Sequence, residues 1–344
     1  MMIGFGSGIE RAGVQRGNPA TPLALMFVFV AGAVPDGAMA ADAPAYPVKP
    51  LRLVVPFPAG GTADLLGRLV GQDLATRLGQ PVVIDNKAGA GGGLGSEIVA
   101  RSAPDGYTLL LSNAASHGTA PSLNAKLGYS PTRDFAHIGL ISVLSQFFVA
   151  GKGFTGATVK VLIAEAKRSP GSIHYATAGV GSTGHFAGEL LKQAAGIDLV
   201  HVPYKGTAPG TTDLIGGRVQ VMFQNAPEAT PHIRAGTIRL LAVTSERRQP
   251  LFPETPTMLE EGVPGFVSAT WYGLSGPAGL SFAQVKTLSA VLTAALTQQA
   301  MSARLTDIGF ELRPSSPAEY ARFVDAEVKK FRAIAEKAGI PREN

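Results

Sequence analysis

A glycine-rich stretch in the middle of the chain has the residue types and spacing of an anion-binding turn. The segment HYATAGVGSTGHFAGELL, residues 174–191, reads as a short apolar strand, a turn and a helix. Within it, Gly179, Gly181 and Gly184 fit the pattern G-x-G-x-x-G. This pattern binds dinucleotides in many proteins, because glycines let main-chain amides approach a pyrophosphate. The same amides could instead bind another anion.

The dinucleotide interpretation requires an acidic residue at the end of the next strand, where it would bind the ribose hydroxyls. That strand, LVHVPYKG, ends in Pro203, Tyr204, Lys205 and Gly206, none of which is acidic. Asp198 precedes the strand and belongs to its other end. A nicotinamide or flavin enzyme is therefore not favoured, and we expect no cofactor.

A second junction repeats the order of strand, glycines and helix. It is VVPFPAGGTADLL, residues 54–66, in which Thr62 stands where the helix should begin, as Ser182 and Thr183 do in the first stretch. The first amides of a helix have no internal acceptor and face the positive end of the helix dipole, so each junction can accept an anion. Each of the three residues could instead be an ordinary N-cap. The matched pair favours a ligand site.

Other chemistries find little support in the residues. The chain has no cysteine, which excludes thiol catalysis, cysteine-ligated zinc and a lipoprotein anchor;. It has no phosphate-binding loop, no G-x-S-x-G elbow and no H-E-x-x-H motif;. His185 and Glu189 lie four apart and could share a metal, but two ligands without a third are more often a surface pair. His117 follows the third predicted strand and could line a cleft.

The elements that must position these junctions alternate along the chain. LRLVVPF, PVVIDN and TLLLSN are the predicted strands of a first unit, and IHYATA, LVHVPY and VQVMFQN those of a second. Apolar strands separated by amphipathic helices are typical of parallel sheets covered on both faces. Two long apolar segments, residues 138–151 and 238–245, bracket the second unit. We predict an α/β fold of two lobes with two mainly parallel sheets, crossing strands and a ligand cleft between the lobes.

The first forty residues have the pattern of a signal peptide. Arg11 and Arg16 precede the apolar run PLALMFVFVAGAV, and an A-x-A site follows at residues 38–40;. The signal peptide would direct export to the periplasm, and cleavage after Ala40 would release the mature chain. The predicted organisation is signal peptide 1–40, first part of lobe 1 41–144, lobe 2 145–245, and second part of lobe 1, with the C-terminal helices, 246–344.

The composition argues against two further classes, disordered proteins and nucleic-acid-binding proteins. With 45% hydrophobic and 16% charged residues among 344, the chain is too apolar to be disordered;. The net charge of +5 comes from scattered residues without a lysine or arginine run, which argues against nucleic acid;.

Taken in order, these motifs resemble the Bug-type (Bordetella uptake gene) receptors, the periplasmic solute-binding proteins of tripartite tricarboxylate transporters. The likeness runs through YPVKPLRLVVPFPAGGTADLL, HYATAGVGSTGHFAGELL, VHVPYKGTAPGTTDLIGGRVQVMFQNAP and WYGLSGPAG, and it covers nearly the whole mature chain. The resemblance implies a class II periplasmic-binding fold that closes on a small carboxylated solute.

The resemblance also implies that the ligand carboxylate is held at the two junction loops, largely by main-chain groups. The residues it implies are Phe57, Pro58, Ala59, Gly60, Gly61, Thr62 and Asp64 in the first lobe and Ala178, Gly179, Gly181, Ser182, Thr183, Tyr204, Lys205, Gly206 and Ala208 in the second. Asp64 has a simpler alternative role as a first-turn residue facing the helix dipole.

One departure from the family pattern bears on the ligand. Where the family often has M-F-D-N, this chain has Gln224 before Asn225. Both amides are neutral, and both donate and accept hydrogen bonds. We expect them to contact a ligand without an ammonium group, namely an aliphatic or aromatic mono- or dicarboxylate rather than an amino acid.

Together these observations predict a monomeric periplasmic receptor that captures a small organic carboxylate and delivers it to membrane transporter subunits. No catalytic residues and no metal are expected, so the protein is not predicted to be an enzyme. Two alternatives stay open: a receptor that presents the solute to a sensor kinase and, less favoured, a periplasmic enzyme on the same scaffold.

Overall fold

The computed structural model describes residues 46–124, 126–337, 339–340 and 342, so the predicted signal peptide lies outside the described residues. The strands are β1 Leu51–Val55, β2 Val82–Asn86, β3 Thr108–Asn113, β4 Phe135–Ala150, β5 His174–Thr177, β6 Val200–Pro203, β7 Val221–Asn225, β8 Arg239–Val243 and β9 Ala269–Pro277. The helices are α1 Thr62–Leu78, α2 Gly93–Ala100, α3 Ala120–Leu123, α4 Val159–Arg168, α5 Thr183–Ala195, α6 Thr207–Gly216, α7 Ala226–Arg234, α8 Phe282–Thr297, α9 Gln299–Asp307 and α10 Pro317–Lys337. Within this part of the chain, no helix combines the length and the apolar character needed to cross a membrane.

One long strand, β4, joins two halves of the sheet. The strand order is β2-β1-β3-β9-β4-β7-β5-β6, and β8 also pairs with β4. β1 is parallel to β2 and β3, and β5 is parallel to β6 and β7, whereas β4 and β9 run antiparallel to their neighbours. Residues 135–145 of β4 pair with β9, and residues 146–150 pair with β7. The predicted α/β class with crossing strands is confirmed.

Each half of the sheet has its own apolar core. Leu53 of β1, Leu66 of α1 and Leu288 of α8 are fully buried in one core, and Phe148 of β4 and Leu191 of α5 in another. Burial of such side chains contributes about 1.5–3 kcal/mol each to stability. We call the elements around the first core the first lobe. The second lobe comprises the elements around the second core together with α6 and α7, which pack against residues 147 and 149 of β4 on the other face of the sheet. The boundaries after residues 144 and 245 stay a prediction.

Four strands lead directly into helices that begin on the same side of the sheet. β1, β5, β6 and β7 are followed by α1, α5, α6 and α7, respectively. In α1 the apolar residues at positions 66, 69, 70 and 74 face the core, and the helix stops at Gly79, whose φ is 67°;. The parallel order places all four helix N-termini at the carboxyl ends of the strands, between the lobes.

Candidate functional site

The four helix N-termini surround a cavity of about 90 Å³. Its size suits a small solute, since sites that bury drug-sized molecules measure roughly 300–1,000 Å³. Twelve of the predicted site residues line this cavity: Phe57, Pro58, Ala59, Gly61, Thr62, Ala178, Ser182, Thr183, Lys205, Gly206, Ala208 and Asn225. Both junctions recognised in the sequence therefore meet at one place.

The helix that begins at Thr183 presents open donors to the cavity. Ser182 is its N-cap, and the Ser182 hydroxyl accepts a hydrogen bond from the His185 amide at 3.2 Å. The next two amides, of Thr183 and Gly184, have no acceptor among the described residues, and both residues line the cavity. α6 contributes Thr207 and Ala208 at the start of its first turn. Open amides and aligned dipoles make this side of the cavity favourable for an anion.

The helix that begins at Thr62 has its first donor already engaged. The Thr62 amide donates to Oε1 of Glu228 at 2.5 Å, although Glu228 belongs to α7 in the other lobe. Glu228 is the third residue of α7, so its carboxylate lies between two helix N-termini;. Burial raises the pKa of this carboxyl, and hydrogen bonds from Thr62, Thr207 and Asn225 oppose the rise.

Asp64 lies behind the first loop rather than in the cavity lining. Its carboxylate accepts hydrogen bonds from the Gly60 amide at 3.0 Å, Arg68 Nε at 2.9 Å and Asn86 Nδ2 at 3.1 Å. Burial acts to raise the pKa of Asp64, but these hydrogen bonds outweigh it and the pKa is lowered. The side chain thus holds the loop between β1 and α1 in shape, as its simpler alternative role suggested.

Glycines allow the loops of the two lobes to touch. A Cβ atom on Gly206, whose φ is +107°, would lie 2.7 Å from Cγ of Pro58 across the cleft. A Cβ atom on Gly91 would lie 2.8 Å from the main-chain carbon of Gly181. The Gly181 carbonyl also accepts a hydrogen bond from Thr119 Oγ1 at 2.6 Å. The cleft is therefore closed along both edges of the cavity.

Two predicted site residues face away from the cavity. Gln224 is buried with its amide donating to Thr211 Oγ1 at 2.5 Å, and it does not line the cavity. Tyr204 likewise lies outside the lining, and its hydroxyl donates to Asp213 Oδ2 at 2.7 Å. Gly60, Gly179 and Gly181 do not line the cavity. Their positive φ angles instead shape the loops beside it.

His117 is a core residue. It is fully buried between Phe135, at a ring-centroid distance of 4.6 Å, and Tyr129 and Trp271, and it does not line the cavity. Its Nδ1 lies 2.9 Å from Ser116 Oγ. Burial lowers the pKa of His117 well below its ordinary value, and the neighbouring His137 lowers it further, so the ring is neutral.

His185 and Glu189 have protein partners, and in the described part of the chain no group of three or more histidine or acidic residues is arranged to hold an ion. His185 Nδ1 accepts from the Gly181 amide at 3.3 Å, and its ring stacks on His201 with centroids 4.2 Å apart. Glu189 accepts a hydrogen bond from the Tyr175 hydroxyl at 2.6 Å. Both residues therefore have structural roles in the second lobe.

Sequence reasoning missed cavity residues that the tertiary fold brings in. The most polar of them are Asn113 at the end of β3, Gln146 of β4, Tyr272 of β9 and Glu228 of α7. Asn113 is 1% exposed, and its Nδ2 has no hydrogen-bond partner within the described chain. A signal for Glu228 was present, because Asn225 at the N-cap, Pro227 and an acidic third residue are typical of a helix start;.

Comparisons with known proteins place this architecture in a family. Residues 66–340 match the model of the "Tripartite tricarboxylate transporter family receptor". The protein BugT of Bordetella pertussis is 33% identical over 318 residues, which are 92% of this chain and 97% of BugT.

Two solved structures from Rhodopseudomonas palustris are also similar to this chain. Rpa4515, solved with adipate, superposes with a TM-score of 0.84 at 36% identity, covering 87% of this chain and 100% of that one. MatC, solved with bound malate, gives a TM-score of 0.81 at 34% identity, covering 84% and 99%. The chain belongs to the receptor family of the tripartite tricarboxylate transporters.

Proposed function

We propose that this protein is a periplasmic receptor that binds a small organic carboxylate in the cavity between its lobes and delivers it to the membrane subunits of a transporter. The observation that carries the proposal is the convergence of four helix N-termini on one small cavity. Family membership supports it, as do the adipate and malate bound by the two similar structures.

In this proposal the main chain of the second lobe binds the carboxylate. The amides of Thr183 and Gly184 donate to its oxygens, and the N-termini of α5 and α6 stabilise its charge;. Lys205 lies exposed at the rim of the cavity, and no ion pair engages it within the described residues. Its charge attracts anions from solution.

Closure would follow from contacts that only one state of the protein makes. The hydrogen bond from Thr119 to Gly181 and the approach of Gly206 to Pro58 are contacts that opening of the cleft would break. A ligand that touches both lobes shifts the population toward that state. The protein makes and breaks no covalent bond in this cycle and acts as a monomer.

Two measurements on the purified mature chain test binding. A panel of mono-, di- and aromatic carboxylates is screened for a rise in melting temperature, and each active compound is followed by small-angle scattering. We expect a rise of several degrees at 100-fold excess over Kd, because ligand binding then adds about 2.7 kcal/mol, together with a smaller radius of gyration. Failure of every compound to change either quantity would refute carboxylate binding.

Delivery to a transporter is tested in cells. Deleting the gene should abolish uptake of the radiolabelled ligand that binds in vitro, and a plasmid copy should restore uptake. A sensor receptor predicts a different result, namely normal uptake with lost transcriptional induction. Uptake that persists in the deletion strain contradicts delivery while leaving carboxylate binding intact.

A further inference from the structure

Glu228 places a carboxylate of the protein at the N-terminus of α1, in the lining of the cavity. Its Oε1 accepts from the Thr62 amide at 2.5 Å, and a Cβ atom on Gly61 would lie 3.1 Å from the same oxygen. The first donor of α1 therefore already holds an anion that belongs to the protein. A second carboxylate placed there would have to displace Glu228 or lie against its charge.

A second acceptor from the same junction lies beside Glu228. Asn225, the N-cap of α7, lines the cavity, and its Nδ2 donates to the Tyr272 hydroxyl at 3.3 Å. Its buried Oδ1 has no partner among the described residues. The junction between β7 and α7 thus presents two hydrogen-bond acceptors, one of them a carboxylate.

Other residues of the cavity lining present donors. Asn113 Nδ2 is buried without a partner in the described chain, and the Thr183 and Gly184 amides have no acceptor there. All three residues line the cavity. The cavity lining therefore offers unengaged donors that fit a carboxylate and, at the junction between β7 and α7, acceptors that fit a hydroxyl or an ammonium group;.

We propose that Glu228 is a specificity-determining residue, which favours carboxylates that also carry a hydroxyl or ammonium donor over matched acids that lack this group. The inference rests on the proposed function, since the unengaged donors of the cavity must hold the first carboxylate. It also revises the expectation drawn from Gln224. That neutral side chain faces away from the cavity, and Glu228 supplies the anionic acceptor that an ammonium group needs.

Calorimetry with matched ligands tests the selection in the wild-type protein. Succinate, malate and aspartate differ only in the group on one carbon, and glutarate, 2-hydroxyglutarate and glutamate repeat the series with one more methylene. Within the better-bound series, the hydroxy or amino acid should bind at least about tenfold tighter than the unsubstituted acid, as expected for a hydrogen bond to a charged group. An unsubstituted acid that binds equally tightly or more tightly overturns the proposal.

The variant Glu228→Gln tests the residue itself. It keeps the size of the side chain and removes its charge, so we expect at least about tenfold weaker binding of the amino acid and tighter binding of the unsubstituted acid. Glu246→Gln, at an exposed position outside the cavity, is the matched control and should change neither affinity. Equal changes for all three ligands in Glu228→Gln overturn the proposal.

The outcomes separate this inference from the proposed function. If no carboxylate of either series or of the wider panel binds the wild-type protein, the proposed function fails and the selection with it. If carboxylates bind without regard to the hydroxyl or ammonium group, only the role of Glu228 fails.

Discussion

The N-termini of α1 and α5 arise from the same local pattern of strand, glycines and helix, yet the structure uses them differently. At α1 the Thr62 amide donates to Glu228 and the Gly60 amide to Asp64, at 2.5 and 3.0 Å. At α5 the amides of Thr183 and Gly184 have no acceptor within the described residues. The first amide of one helix is engaged by a carboxylate of the protein, and the first two amides of the other are open. The pattern predicts an anion-binding helix start, but it does not reveal whether the anion belongs to the protein or to a ligand.

The largest effect is expected at the open terminus. In Thr183→Pro the amide is lost and a ring carbon takes its place, while proline remains compatible with the first helical position after Ser182, whose φ and ψ are −67° and 159°;. We expect carboxylate affinity to fall about 10- to 100-fold, the value of one or two hydrogen bonds to a charged group. Isothermal titration calorimetry measures the loss.

The control for this variant is Thr183→Ala, which removes the hydroxyl that accepts from Gln146 Nε2 at 3.2 Å and keeps the amide. Its affinity should stay within about threefold of the wild type. Equal losses in the two variants would show that the side chain, rather than the amide, binds the ligand.

Proline at the first position of α1, where Glu228 already accepts from the amide, should lower the stability of the protein rather than its ligand affinity. Gly61 is extended at φ −92° and ψ 176°, so Thr62→Pro also fits the helix start;. Glu228 loses a donor, and we expect the free energy of unfolding to fall by about 1–2 kcal/mol relative to Thr62→Ala. Urea denaturation measures the fall at constant m-value. A loss of ligand affinity as large as that of Thr183→Pro would contradict the difference between the two termini.

The smallest effect is a pH dependence with opposite signs for the two carboxylates at α1. Burial raises the pKa of Glu228 above its ordinary value of 4.5, so its contribution to stability decreases as pH rises from that value through the raised one;. The pKa of Asp64 is lowered below 3.8, since its hydrogen bonds outweigh its burial, so its contribution is lost as pH falls through the lowered value;.

Urea denaturation between pH 3 and 8 separates the two contributions. Relative to the wild type, Glu228→Gln should gain stability as pH rises, and Asp64→Asn should lose it. Stability differences that do not change with pH in either variant would contradict the assigned pKa directions.

Most of the fold and half of the site follow from local patterns. Apolar runs predicted the strands, the helical period predicted α1, and the glycines marked both junctions that line the cavity. Asn113 and Tyr272 could not be predicted in this way, because antiparallel pairing of β3 with β9 brings them to the cavity from distant segments. His117, which could have lined the cleft, is absent from the cavity lining for a related reason. The turn after β3 directs its ring into an aromatic core, which no periodicity indicates.

The sequence alone could have shown that the side chains of Gln224 and Asn225 do not both line the cavity. Successive residues of a strand face opposite sides, so the two side chains cannot both reach the cavity. In β7 it is Phe223 and Asn225 that line the cavity, while Gln224 bonds to Thr211 on the other face.

The change of partner strand along β4 bears on how the two halves of the sheet can move. It leaves β9 after Ser145 and joins β7 at Gln146, so a rotation of one half of the sheet against the other would bend the strand at this point. Gln146 accepts from Ser268 Oγ at 3.0 Å and lines the cavity. Gln146 thus belongs both to the cavity wall and to the strand that joins the two halves of the sheet, so a solute that contacts this residue would also contact the point at which relative motion of the halves must be accommodated.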